Sequence, residues 1–359
     1  MTEEMKAKCD LLVKNRTAIR RKFLFENELM TQVSALVFTS DDVEADVKKM
    51  AECRKLLDRK TRPLSILRAT VELLLLSKMS LAADPAEYLS DVKKVYGKIQ
   101  KGQLLENAYM ALAAILIVDL GRREDSDEIV AKYRELISRM NKDHPILTDS
   151  EDTSFAAFLA LTDKSADTIL SDLETGYNYM KKTCKFKASG NAIYELCEML
   201  ALTYGDMEEK CDKVMRIYSA FAKRKAEYGN GQEFSSLGAL IDVDLDIDTM
   251  VDSIVEAEHY LKCQKVFGDK DEEKKSRLVY AAFLVADVYG RSTDPMSNAI
   301  ATNTLTMIRA KKISTVISVI GSVAPSVISS MLPSEDSKEK TDEGEKDGAE
   351  TKEESKDGK

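Results

Sequence analysis

The feature that most constrains the fold of this 359-residue chain is an alternation of two kinds of segment, with a period of roughly 40 residues. Five similar phrases each contain a tyrosine, and these tyrosines recur at near-regular intervals, at Tyr96, Tyr133, Tyr177, Tyr218 and Tyr260. Each phrase has Ser or Asp near its start and alternates charged with apolar residues, as an amphipathic helix does. We therefore expect each phrase to form an outer helix.

A more continuous apolar run precedes each phrase, and a sixth run follows the last phrase. Runs that are apolar on most sides belong to buried helices. The alternation therefore predicts an all-α protein made of stacked antiparallel helical hairpins, an α-solenoid-like array with a HEAT-type period of about 40. The alternative is a compact irregular helical bundle that buries the same helices around one centre.

The composition agrees with a helical fold. Gly at 15 and Pro at 6 are sparse and Trp is absent, whereas 44% of the residues are hydrophobic, enough for a sizeable core. Six cysteines stand singly, with no C-x-x-C pair and no neighbouring histidines, which predicts small core residues in a reducing compartment. The N-terminus lacks the apolar region of a secretory signal. We expect a cytoplasmic protein with no cofactor and no metal.

Changes in composition divide the chain into four parts. Residues 1–60 are expected to form an N-terminal helical cap, and residues 61–292 the array of helical hairpins. Residues 293–332 are expected to form a C-terminal helix followed by an apolar segment. The last part, residues 333–359, has beyond Pro333 no aromatic side chain and no aliphatic one larger than alanine, so we expect a disordered charged tail.

The apolar segment, residues 313–332, carries no charge and has the length of a bilayer span. Basic residues precede it, as on a cytoplasmic flank, at Arg309, Lys311 and Lys312. Six serines, Pro325 and the highly charged tail argue against insertion. We expect the segment to pack on the protein or to self-associate into a homo-oligomer. An interfacial membrane contact and a true membrane anchor are the alternatives.

The charge distribution argues against a nucleic-acid partner. The net charge is −9, and the tail after Pro333 supplies −5 of it through eleven acids and six lysines. The rest of the chain is therefore mildly acidic and lacks the positive field that attracts a phosphate backbone. Two basic stretches, residues 14–22 and 54–62, are expected to be solvated helix faces, with an anionic partner or a membrane surface as the alternative.

The stretch "KDHPILTDSEDTSFAAFLAL", residues 142–161, contains one of only two histidines. Thr148 begins a capping box ahead of the apolar run, and the acids Asp149 and Asp152 suit the positive end of a helix. We therefore expect a loop and a helix entrance here. The alternative is a functional loop in which His144 forms a general-base pair or a weak metal site with Asp149 or Asp152.

A second acidic stretch, "IDVDLDIDTM", places an aspartate at every other residue from Asp242 to Asp248 and resembles the start of a calcium loop. The resemblance ends there, because an EF-hand loop needs Gly at its sixth position and Glu at its twelfth, where Ile247 and Ser253 stand. We expect a solvated loop with Asp248 as an N-cap. The chain has no G-x-S-x-G, H-E-x-x-H or P-loop motif.

The region around the first histidine resembles an uncharacterised bacterial family known only as a domain of unknown function. Its members share a His-Pro-apolar-Leu-Thr phrase, an acidic pair and an alanine- and leucine-rich helix. The phrase matches at His144, Pro145, Leu147, Thr148 and Asp152. The resemblance covers roughly residues 5–310, including the helical hairpins, and leaves out the charged tail. It implies an all-helical fold and a bacterial cytoplasmic origin but no activity, since the family has none assigned.

Repeat arrays present extended surfaces, and this sequence has no local catalytic constellation, so we expect a non-enzymatic scaffold that binds another protein. Two alternatives from other classes stay open. One is a hydrolase or metal-dependent enzyme centred on the His144 loop. The other is a membrane-associated adaptor that uses Arg20, Arg21 and residues 313–332.

Overall fold

Helices with capping residues at their starts and apolar residues at helical spacing build this protein. Its computed structural model describes residues 1–26, 28–69, 71–102, 108–143, 152–231, 233–268 and 273–290. Within these ranges every regular element is a helix, so the all-α prediction is confirmed. All of the described residues belong to one compact unit.

The α-helices are α1 (Glu3–Lys22), α2 (Glu28–Ser40), α3 (Val47–Lys60), α4 (Glu72–Leu81), α5 (Pro85–Gln100), α6 (Ala108–Asp119), α7 (Ser126–Asp143), α8 (Asp152–Leu161), α9 (Ala166–Thr183), α10 (Gly190–Ala201), α11 (Met207–Lys223), α12 (Ile247–Lys262) and α13 (Lys274–Tyr289). Two short 3₁₀ helices join them, Ile66–Arg68 and Phe234–Leu240.

Side-chain caps set the first residue of several helices. The Asp84 carboxylate accepts from the backbone N–H groups of Ala86 and Glu87, and Pro85 occupies the first helical position, where its missing N–H costs nothing. Side-chain oxygens cap other helices in the same way at Thr2, Asp46, Ser165, Ser189, Asp206 and Asp246. Four of the outer helices, α5, α9, α11 and α12, thus begin at a Ser or Asp. The capping residue is not the one in the tyrosine phrase, however, since the Ser or Asp of each phrase lies six or seven residues later, inside the helix.

Two kinds of helix alternate along the chain. In α10 every residue from Ala192 to Ala201 is buried, and α6 is buried in the same way from Met110 to Ile117. Helix α7, by contrast, buries one side only, at Ser126, Ile129, Val130, Tyr133, Leu136 and Met140. The five marker tyrosines lie in the one-sided helices α5, α7, α9, α11 and α12. The prediction of fully buried helices alternating with half-buried ones is confirmed for these elements.

From α6 onward, each buried element packs on a half-buried helix and on the next buried element. Helix α8 contacts α7, α6 and α10, and α10 contacts α9, α8 and the Phe234–Leu240 segment. That segment contacts α13, and α13 contacts α12. The first helix also contacts the last two, because α1 packs against both α12 and α13.

Polar contacts also link consecutive half-buried helices, from late in one helix to early in the next. Examples are Lys98 with Asp127 at 2.9 Å, Arg139 with Asp167 at 2.7 Å and Tyr179 with Asp212 at 2.8 Å. The same pattern joins α12 to α1, where Tyr260 donates to Asp10 and the terminal ammonium pairs with Glu256.

One apolar run differs from the helix predicted for it. The run "FSSLGALIDV" forms only a 3₁₀ helix, Phe234–Leu240. Gly238 permits close packing here, because a Cβ atom at this position would lie 2.8 Å from the Cβ of Met199 on α10. Phe234 also packs edge-on against Phe186 and Tyr218, at 5.3 Å and 5.7 Å between ring centroids. Tertiary packing therefore holds this segment although it lacks a full helix.

The predictions for residues 293–332 and for the tail at 333–359 lie outside the described residues, as does the apolar segment at 313–332. Among the helices that the structure describes, none combines the length and the apolar character needed to cross a bilayer.

Candidate functional site

The loop predicted from the first histidine lies almost entirely outside the described residues. His144, Thr148 and Asp149 fall in the gap between α7 and α8. Asp152 is the first residue of α8, and its backbone alone is described. The capping role and the catalytic alternative for this loop therefore both stay predictions. The other histidine, His259, is exposed in the last turn of α12.

The acidic stretch at residues 242–248 is a loop that ends in the start of α12. The N-cap is Asp246, whose carboxylate accepts from the backbone N–H of Thr249 and whose pKa is lowered by hydrogen bonds from that residue. Asp248, the residue predicted to cap, instead pairs with Arg224 at 3.0 Å. Across the described parts of the chain, no three His, Cys, Asp or Glu side chains lie close enough to hold a metal.

The cysteines are all free, and the prediction that they are core residues is correct for four of them, Cys9, Cys53, Cys197 and Cys211. Cys184 is half-buried and Cys263 is exposed, so the prediction is wrong for these two. Burial raises the pKa of the Cys9 thiol to about 12, which leaves it protonated and unreactive near neutral pH.

Two lysines converge on the carboxyl end of the buried helix α10. The Lys210 ammonium donates to the carbonyl oxygens of Leu200 and Thr203, at 2.9 Å and 2.7 Å. Lys164 donates to Thr203 and Ala201 and pairs with Asp172, each at 2.7 to 2.8 Å. Burial and the Lys164 charge lower the pKa of Lys210 to about 8. Because helix ends leave carbonyl groups unbonded, these lysines act as a C-terminal cap.

Sequence reasoning missed two carboxylates in the middle of the same helix. Glu195 and Glu198 stand three residues apart on α10, and both are buried. Spacing of three places them on the same side of the helix. The available signal was a pair of glutamates inside the otherwise apolar run "IYELCEMLAL". Carboxylates buried in an apolar helix are rare, which makes this side of α10 unusual among the buried helices.

An open groove runs between α11 and the start of α12, and we name it the α11–α12 groove. Its volume is about 890 Å³. Half-buried Met215 and Ile247 contribute apolar surface, while charged side chains of both signs surround them, namely Glu209, Asp212, Arg216, Lys223 and Asp248. At one end the Arg224 guanidinium bonds to Asp252 at 2.9 Å and ties the two helices together.

A second groove, of about 1000 Å³, lies between the end of α3 and the second half of α5, and we name it the α3–α5 groove. Its charged lining is basic, with Arg59, Lys60, Arg62 and Lys93 all exposed. Among the described residues, no carboxylate lies within ion-pair distance of any of these four side chains. Leu64 also lines the groove and is almost fully exposed.

The fold and its surfaces define an all-α protein of alternating buried and half-buried helices. The chain belongs to a family described as protein of unknown function (DUF4003), whose model matches residues 15–313. The resemblance seen around His144 is therefore confirmed at the level of the family. Comparison with curated proteins and with solved structures gave no match.

Proposed function

We propose that this protein is a non-enzymatic interaction protein built from stacked antiparallel helical hairpins with a HEAT-type period, and that it binds another protein through the α11–α12 groove. The stacking is supported by the order of helix contacts, in which each pair of helices touches the next pair along the chain. The ties between consecutive half-buried helices support it as well, since they recur at corresponding places.

The α11–α12 groove is the observation that carries the binding proposal. Protein interfaces combine an apolar centre with a polar rim, and charges of both signs on that rim select a partner by complementarity. Here Met215 and Ile247 supply the apolar centre within a rim of mixed charge. The volume of about 890 Å³ suits a short segment of a partner rather than a broad flat contact.

The test is affinity capture from native lysate with quantitative mass spectrometry. We expect wild type to retain one protein stoichiometrically, and the Met215→Asp, Ile247→Asp double variant to lose it. A matched control changes two other half-buried apolar residues of outer helices, Ile137→Asp and Leu170→Asp, and should retain the partner. Equal retention by the groove variant and wild type, or no stoichiometric partner at all, would overturn the proposal.

Two alternative functions depend mainly on residues outside the described ranges. A hydrolase or metal-dependent enzyme would use the His144 loop, and a His144→Ala, Asp152→Ala variant in the same capture would lose a partner or a bound metal if that loop were the site. A membrane-associated adaptor would use Arg20, Arg21 and residues 313–332. Membrane fractionation of the full-length chain against a chain ending near Lys312 tests it. Both stay predictions, as does the proposed cytoplasmic location.

A further inference from the structure

We infer that the ends of α1 and α3, with the loops that follow them, form a docking surface for an anionic lipid bilayer. This bilayer-docking surface consists of three exposed apolar tips, Leu24, Phe25 and Leu64, and of the basic side chains beside them, Arg21, Lys22, Arg59, Lys60 and Arg62. It is distinct from the α11–α12 groove and from the apolar segment at 313–332, so it does not depend on the function proposed above.

The two loops lie at the same end of neighbouring parallel helices. Near the middle of α1, the Asn15 side chain donates to the Val43 carbonyl at 3.0 Å and accepts from the Ala45 N–H at 2.8 Å, just before α3. Further along both helices, the Arg54 guanidinium of α3 lies 4.8 Å from the Phe23 ring at the end of α1. From the first contact to the second, the residue numbers increase both in α1 and in the segment that leads through α3. The two helices therefore run in the same direction.

The loop after α3 therefore projects past the loop after α1. The C-cap of α3, Thr61, stands two helical turns beyond Arg54, a distance of about 10 Å along a helix. Leu64 follows in the loop beyond it. The two loops thus present their tips at the same end of this helix pair.

The apolar tips are exposed although their loops are anchored. Leu24 is 72% exposed, Phe25 101% and Leu64 98%. Phe23, next to Leu24, and Leu67, three residues after Leu64, are both buried, so each loop is held to the core near its tip. Three large apolar side chains on anchored loops are unfavourable in water, and an apolar environment outside the protein would stabilise them.

The charge around these tips is positive because nearby acids are already paired. Glu26 pairs with Arg54, Glu28 with Arg16, and Asp58 with Arg68. The five basic side chains of the bilayer-docking surface make no ion pair among the described residues, and all five are exposed. Their charge is therefore available to an anionic surface, and Lys93 in the adjoining α3–α5 groove adds to it.

A bilayer fits this arrangement better than an acidic protein does. The tips stand on two separate loops at different heights, so a rigid partner would need a separate pocket for each. A bilayer deforms around apolar tips while its anionic headgroups neutralise the lysines and arginines beside them. Apolar tips and flanking cations are the two signals that together give stable membrane association.

The experiment is co-sedimentation of the full-length protein with vesicles of phosphatidylcholine alone or mixed equally with phosphatidylglycerol. We expect wild type to sediment with the anionic vesicles and to be released by added salt, which screens the charges. Arg59→Glu, Lys60→Glu, Arg62→Glu should bind at least about tenfold more weakly. The Phe25→Ser, Leu64→Ser double variant keeps all charges, and its affinity for the anionic vesicles should be roughly tenfold lower.

A matched control reverses three exposed lysines at the end of another half-buried helix, Lys182→Glu, Lys185→Glu and Lys187→Glu. It has the same net charge as the first variant and should bind like wild type. Circular dichroism melting checks that every variant folds, which their exposed positions favour. The proposal is overturned if anionic vesicles bind no better than neutral ones, if the control loses as much affinity, or if anionic vesicles hold both docking-surface variants as tightly as wild type.

Discussion

A buried ion pair between the last two helices gives the sharpest stability prediction. Arg277 of α13 is 1% exposed, and its Nε donates to Glu258 of α12 at 2.7 Å, where the Glu258 side chain is 4% exposed. The guanidinium also donates to the carbonyl of Gly268, at 3.1 Å, in the connection between the two helices. We expect Arg277→Met to leave Glu258 as a buried carboxylate without its cation.

The magnitude follows from the cost of an uncompensated charge. Removing one partner of a buried ion pair costs about 3–5 kcal/mol of unfolding free energy. In a domain of this size, each kcal/mol lowers the melting temperature by roughly 2–4 °C, so we expect a decrease of about 10 °C. A double variant, Arg277→Met with Glu258→Leu, removes both charges at similar volume. The unfolding free energy of this double variant should lie within about 1–2 kcal/mol of the wild-type value.

Urea unfolding followed by circular dichroism at neutral pH measures these differences. An exposed pair serves as control, and Arg224→Met, which removes the cation that pairs with Asp248 and Asp252, should cost less than about 1 kcal/mol because water screens that contact. This prediction is refuted if Arg277→Met lowers the unfolding free energy no more than the exposed control does, or if the double variant is as unstable as the single one.

Three further changes test other parts of the fold. Gly238→Ala should lower the unfolding free energy by about 1–3 kcal/mol, since the new Cβ would crowd Met199. Gly97→Ala should stabilise α5 slightly, because a Cβ there meets nothing within 4 Å. Urea unfolding compares the two variants, and equal effects would contradict the close packing at Gly238. Lys210 has a folded-state pKa of about 8 against an ordinary 10.5, so the unfolded chain binds more protons between these values and raising the pH stabilises the fold. The unfolding free energy of wild type, measured relative to that of Lys210→Met, should therefore rise by about 1–3 kcal/mol between pH ~7 and pH ~10. A difference that does not change with pH would refute this. Asp84→Ala should lower the unfolding free energy by about 1 kcal/mol, because it removes the N-cap of α5. Lys94→Ala, an exposed change within the same helix, is the control and should lower it clearly less.

Much of the local structure could be predicted because its causes are local. The tyrosine phrases predicted half-buried helices, and the apolar runs predicted buried ones, since helical periodicity and caps act within a few residues. The exception was the run containing Phe234. Its 3₁₀ form depends on the close approach of Gly238 to Met199 on α10, a neighbour that lies far away along the chain.

The candidate surfaces were only partly predictable. The basic residues at 54–62 were identified from the sequence, with an anionic partner or membrane surface as one interpretation. Their position beside Leu24, Phe25 and Leu64 was not, because it depends on α1 and α3 running parallel. The α11–α12 groove was missed for the same reason, since it forms between two helices whose relative position no local pattern gives. The His144 loop was the strongest local motif, and it lies outside the described residues.

By itself the sequence determined that this chain is helical, which of its helices are buried on all sides, and which family it belongs to. These properties follow from side chains a few residues apart. Only the tertiary structure decided that α12 meets α1 through Tyr260 and Asp10, that Glu258 and Arg277 share a buried site, and that two grooves open between outer helices. Such contacts join residues far apart in the chain, and they depend on the summed packing of many helices, which no local pattern records.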